Sequence, residues 1–185
     1  TDEALDALLT GTVQPITVGQ LNGRLFLVNA SLGLYPLLLE DREVFKKRWG
    51  RTRAVALIST LWTVFTQQRT LQLSMSTDEG DSHVLRTPLL FVGNNALQLE
   101  RIGLPQAKDV QEGRLAAVSV RDVGRLGMIG LALRGAGGAL GEADDIVDFS
   151  FERMDVTLRG SVRGQRPVKV AIDGETLWMR APLEF

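Results

Sequence analysis

Short runs of alternating apolar and polar residues cover most of the chain. Across residues 14–26, Ile16 and Val18 alternate with polar neighbours, Asn22-Gly23 interrupts, and Leu25 and Leu27 return. This predicts a β-hairpin, because both central residues of a type I′ turn take φ > 0, which Asn and Gly tolerate. Residues 29–35, with Gly33, read as a loop or irregular strand that Pro36 ends. Leu71, Leu73 and Met75 alternate with Gln72 and Ser74, and the polar loop 77–83 leads into 84–92, so these two stretches are expected to pair antiparallel. Residues 93–112 are rich in loop formers, and 115–120 form a strand. Residues 148–160 alternate through Phe149, Phe151, Val156 and Leu158. Val168, Val170 and Ile172 then run into Asp173-Gly174-Glu175, and Leu177 and Met179 leave it, which predicts a second hairpin turned by Asp-Gly.

Helical spacing appears in three places. Residues 40–49 form a charged helix and 51–68 a second one, with Ala54, Leu57, Ile58, Leu61, Trp62 and Phe65 on the core face. Residues 123–133 form a short helix that groups Leu126, Ile129, Gly130 and Leu133 on one side, closed by the glycine-rich run 135–138. Strands dominate and follow one another through hairpins or single helical excursions, with no βαβ rhythm and no repeat. The expected fold class is α+β, mainly β: an antiparallel β-sandwich with a few inserted helices.

Composition narrows the function classes. The 185 residues suffice for one domain with a sizeable core, and 44% of them are hydrophobic. A net charge of −1 gives no bulk attraction to nucleic acid. The absence of cysteine excludes disulfides and thiolate chemistry, and fits a reducing compartment such as the cytoplasm. The one histidine, His83, excludes a multi-histidine metal site and is expected in an exposed loop. The longest apolar run, 54–65, is too short to span a bilayer. Residues 1–9 are acidic and helix-like, and read as the continuation of a longer chain.

Few residues suggest chemistry on their own. The run 135–138 follows a helix, where carbonyls point outward, so it is a poor phosphate cradle. Lys46, Lys47, Arg48, Arg51 and Arg53 surround Trp49 after three leucines; this is either a solvated helix face or a dock for anionic lipid. Asp109, Glu112 and Asp122 lie near a Glu-Gly turn that could offer oxygens to a hard cation, or are ordinary surface carboxylates. In the C-terminal hairpin the turn accounts for Asp173 and Gly174. It leaves Glu175, a carboxylate at the start of a strand, unexplained.

Four segments taken together resemble one family. Residues 18–26 with Asn29-Ala30-Ser31-Leu32-Gly33, then Phe91-Val92-Gly93-Asn94-Asn95, residues 107–115, and Ile172-Asp173-Gly174-Glu175 are similar, in order and spacing, to segments of the diacylglycerol kinase/sphingosine kinase-like lipid kinases. The resemblance implies the second, β-sandwich domain of the lipid kinase/NAD kinase-like architecture, with residues 1–185 forming that one C-terminal domain. The family's Gly-Gly-Asp-Gly-Thr motif, which binds ATP phosphates in its first domain, does not occur in the chain. The implied reaction is transfer of the ATP γ-phosphate to a lipid hydroxyl such as that of diacylglycerol, with this part inactive alone. Carried over by position, Glu175 is the catalytic glutamate. Asp109, Glu112 and Arg114 correspond to a structural Mg²⁺ site, the first and last through carbonyl oxygens. Glu112 stands where the family has Asp, and residues 97–101 replace an expected glycine-rich segment. The resemblance also implies a cytoplasmic protein with a lipid substrate and peripheral membrane contact. A sheet edge left uncovered by a missing domain could favour a homodimer. The alternative is a non-catalytic lipid-binding or interaction domain of the same fold.

Overall fold

The computed structural model describes residues 5, 9–12, 15–39, 70–159 and 167–185. The helices expected over 40–49 and 51–68, their basic cluster and most of the N-terminal helix fall outside those residues. Twelve strands are described: β1 (Gly19–Leu21), β2 (Arg24–Phe26), β3 (Asn29–Gly33), β4 (Leu71–Thr77), β5 (Ser82–Thr87), β6 (Leu89–Gly93), β7 (Leu115–Val120), β8 (Ile146–Phe151), β9 (Met154–Leu158), β10 (Val168–Ile172), β11 (Glu175–Met179) and β12 (Leu183–Glu184). Among the described residues three α-helices follow β6, α1 (Ala96–Arg101), α2 (Ala107–Gln111) and α3 (Gly124–Ala136), with a 3-10 turn at Leu140–Glu142, and residues 34–39 are also helical. A six-stranded sheet runs β11-β10-β3-β6-β7-β8 and a four-stranded sheet β12-β9-β4-β5, while β1 and β2 form a separate hairpin. All pairings are antiparallel, as the sandwich expectation requires.

Strand parity divides the core in two. Along β6 and β7, Leu90, Val92, Leu115 and Ala117 point toward the four-stranded sheet and pack with Leu73, Met75, Met154, Val156 and Leu183. Their neighbours Phe91, Ala116, Val118 and Val120 point the other way, onto Leu99, Val110, Met128 and Leu131 of the helices. A strand buried on both faces loses its polar alternation, and β7, Leu-Ala-Ala-Val-Ser-Val, is buried at every position.

Several local expectations change. Residues 29–33 form a regular inner strand. Gly33 ends it with φ +87°, a conformation that lets the Leu34 N–H reach the Pro88 carbonyl at 2.8 Å. A Cβ at Gly33 would sit 2.2 Å from that carbonyl oxygen. Gly33→Ala is therefore expected to lower the unfolding free energy by roughly 2–4 kcal/mol, read from urea midpoints at constant m. The stretch 84–92 is two strands in different sheets, split at Pro88, which cannot donate to a ladder. The region 93–112 contains α1 and α2, too short to show periodicity. His83 lies in β5, half-buried, with its ring stacked on Phe149 at 4.5 Å. In α3 the buried residues are Met128 and Leu131; the side carrying Leu126, Gly130 and Leu133 faces outward.

Candidate active site

Both Gly-containing turns adopt the backbone their residues favour. Asn22 and Gly23 have φ 46° and 81°, and Asp173 and Gly174 have φ 45° and 89°. The Asn22 side chain fastens the first turn to β12: its oxygen accepts from the Glu184 N–H at 2.7 Å and its amide donates to the Pro182 carbonyl at 3.2 Å.

Asp173 does more than turn the chain. Its Oδ2 accepts the Leu27 N–H at 2.7 Å, and its Oδ1 accepts the N–H groups of Val28 at 2.8 Å and Asn29 at 3.0 Å. Its own N–H donates to the Asn29 carbonyl at 2.9 Å. Three successive backbone donors aimed at one carboxylate make a small anion nest. Partial burial pushes the Asp173 carboxyl up, but the donors from Leu27, Asn29 and Val28 outweigh it and hold the group below the ordinary aspartate range.

The bend at residues 27–29 is braced from the other side by Asn94. Its amide donates to the Thr17 carbonyl at 2.9 Å and the Leu27 carbonyl at 3.2 Å, and its backbone N–H donates to the Val28 carbonyl at 2.8 Å. Asn95 caps α1 by accepting the Gln98 N–H.

Glu175 opens β11 opposite Ile172 and is exposed. Its strand parity is that of Leu177 and Met179, so it stands at the rim of the inter-sheet core. It lines an open cleft of about 420 Å³ with Arg24, Leu25, Ile172, Asp173 and Leu177. One wall thus comes from the β1–β2 hairpin and the other from β10–β11. The cleft holds a carboxylate able to accept a proton and a guanidinium able to bind an anion, beside apolar side chains.

Register shows what else shares this end of the sheet. Ile172 pairs with Glu175 and Ala30, Asn29 with Gly93, and Gly93 with Ala116. The Asp-Gly-Glu turn, the 27–29 bend, the Asn94 loop and the turn before β7 therefore follow one another along a single edge. With strands about 4.8 Å apart, the four steps from β11 to β7 place the last turn roughly 19 Å from Glu175.

That last turn is a closed helix cap. Gly113, φ +94°, donates to the Val110 carbonyl at 3.1 Å, and Arg114 N–H donates to the Asp109 carbonyl at 3.0 Å, the paired bonds of a Schellman motif. Glu112 N–H reaches the same Asp109 oxygen at 3.1 Å. The Arg114 guanidinium bonds Glu79 and the Ser150 carbonyl and lies 3.9 Å from Glu152. The Glu79 bond pushes its pKa upward, with partial burial opposing. Asp109, Glu112 and Arg114 thus lie together. The carbonyl that would serve a cation already accepts two N–H groups, and no acidic cluster of metal-binding size occurs among the described residues. This arrangement does not fit a Mg²⁺ shell.

The sequence reading missed Asp173 and Asn94 as organisers of the site. Their partners lie 146 and 67 residues away along the chain, so no local signal reveals them.

No protein-family model matches the chain. Among solved structures, a diacylglycerol kinase from Bacillus anthracis str. Sterne is similar, with TM-score 0.59 and 18% identity over 98% of this chain and 53% of that one. Two diacylglycerol kinase-like proteins of the same strain give TM-scores of 0.63, at 17% and 20% identity, again over 98% of this chain and 57% of theirs. The chain spans a little over half the length of the structures it matches. At such identities the likeness concerns the fold: this chain has the mainly antiparallel, helix-decorated fold of just over half of a diacylglycerol kinase-like protein.

Proposed function

We propose that the chain is the acceptor-side half of an ATP-dependent lipid kinase that phosphorylates the hydroxyl of a diacylglycerol-like lipid. Glu175 accepts the hydroxyl proton as the lipid oxygen bonds to the γ-phosphorus and the bond to the ADP oxygen breaks. Phosphoryl transfer needs positioning and charge stabilisation more than covalent help from the protein. A carboxylate on a braced hairpin supplies the first, and the Arg24 guanidinium in the same cleft suits the second. The nucleotide is held by a domain outside these 185 residues, because the chain has no phosphate-binding glycine motif. What supports the reading is the clamp of Asp173 on the 27–29 bend, which ties the Asp-Gly-Glu turn to the chain just after the β1–β2 hairpin, whose Arg24 and Leu25 share the cleft with Glu175.

In an assay with γ-labelled ATP and diacylglycerol in mixed micelles, the 185 residues alone should transfer no label. The same residues joined to the nucleotide-binding domain should transfer it. Label transfer by the 185 residues alone would overturn the division of labour.

A further inference from the structure

The β1–β2 hairpin brings Arg24 and Leu25 to the Glu175 cleft, yet it is laddered to neither large sheet. Each of its strands has three residues, and a two-stranded hairpin is marginal in water by itself. Its place therefore depends on contacts other than a ladder. Burial supplies some of them. Leu21 and Phe26 are buried, and a Cβ at Gly19 would fall 2.1 Å from the Phe26 ring, so glycine lets that ring lie against the backbone. Apolar packing is non-directional; it holds the hairpin down without aiming it.

Direction comes from the two ends. At the base, Asp173 and Asn94 hold the 27–29 bend to turns of the six-stranded sheet. At the tip, Asn22 reaches the other sheet. Its backbone N–H donates to the Glu184 carbonyl at 2.9 Å. Its side chain accepts the Glu184 N–H at 2.7 Å and donates to the carbonyls of Pro182 at 3.2 Å and Arg180 at 3.3 Å. Glu184 belongs to β12, an edge strand of the four-stranded sheet. The hairpin thus bridges the ends of both sheets, and Arg24 follows two positions after the tip anchor. The turn alone does not demand Asn22. Glycine takes φ 46° as readily, but has no side chain to reach β12. The Arg24 guanidinium has no ion-pair partner among the described residues, so the hairpin backbone sets where it stands. We infer that Asn22 is a positioning residue: by tying the hairpin tip to β12 it holds Arg24 in the cleft with Glu175. The inference rests on the acceptor-side reading of that cleft and gives Asn22 no contact with substrate.

Asn22→Gly is the clean test, because Gly-Gly suits the same turn. In the 185-residue chain, amides of residues 19–26 should exchange with deuterium about fivefold faster or more, while those of β10 and β11 keep their rates. In the 185 residues joined to a nucleotide-binding domain, kcat/KM for ATP-dependent phosphorylation of diacylglycerol should fall about tenfold. With Arg24→Ala already present, Asn22→Gly should cost less than about twofold, since the group it places is gone. Unchanged exchange over 19–26 overturns the inference. So do losses that simply multiply in the two backgrounds, the mark of general loosening. A joined wild type that transfers no phosphate, with the hairpin still loosened by Asn22→Gly, overturns the kinase reading instead. The positioning role then falls with it, and Asn22 is a structural anchor only.

Discussion

Asp173→Ala should lower the unfolding free energy by about 2–4 kcal/mol. Hydrogen bonds to a charged acceptor contribute roughly 1.5–3 kcal/mol each, and three backbone N–H groups lose theirs. Water can reach part of this turn, so the total falls well under the sum of three. Asp173→Asn keeps a residue that tolerates φ > 0 and one acceptor oxygen, and should lose about half as much. The effect carries a pH signature. The folded-state pKa of Asp173 lies below its unfolded value. Its stabilisation is therefore complete above the unfolded value near 3.9, and fades as pH falls through the folded one. Urea unfolding at pH 7 and pH 3 should show the gap between wild type and Asp173→Ala narrowing at the lower pH. A gap equal at both would mean that charge plays no part in the clamp. Asp78 adds to the same acid-side loss of stability: the Arg153 N–H bonded to it at 3.0 Å lowers its pKa.

What could be read from the sequence follows from the range of each interaction. Asn22-Gly23 and Asp173-Gly174 were legible because φ > 0 is demanded locally. The sandwich was legible because Leu71–Met75 and Val168–Ile172 alternate with period two. Pro88 hid a change of sheet inside one apolar run, since 84–92 reads as a single strand until the partners are known. Helices α1 and α2, of six and five residues, give less than two turns of periodicity. In α3 the spacing groups Leu126, Ile129, Gly130 and Leu133; three of these are exposed while Ile129 packs partly against the core, and no rule of spacing says which side of a helix faces inward. The candidate site was half legible. Glu175 stood out as a carboxylate the turn does not need. The carboxylate of Asp173 looked explained, because its partners at Leu27, Val28 and Asn29 join it only on folding. The resemblance maps Asp109, Glu112 and Arg114 to a cation site, and spacing alone does not reveal the Schellman bonds of Gly113 and Arg114 that close α2 at that turn.

The second large effect concerns rate. Glu175 is exposed at the cleft rim, so Glu175→Gln should leave folding intact, with a melting temperature within about 2 °C of wild type. Gln keeps the size and hydrogen bonding of the side chain but cannot take a proton. A positioned general base contributes typically 10²–10⁴-fold. If Glu175 acts only as the transfer proceeds, kcat should fall by that factor while the lipid KM moves less than about threefold. Arg24→Lys retains the charge without the planar fork, and should lose about tenfold in kcat/KM. On the proposed function, the most direct measurement is the initial rate of γ-phosphate transfer from ATP to diacylglycerol by the 185 residues joined to a nucleotide-binding domain, with Glu or Gln at position 175. A folded Gln variant slower by about 10²-fold or more, at similar KM, is the predicted result. A Gln variant as fast as wild type would contradict the assignment of Glu175 as the proton acceptor.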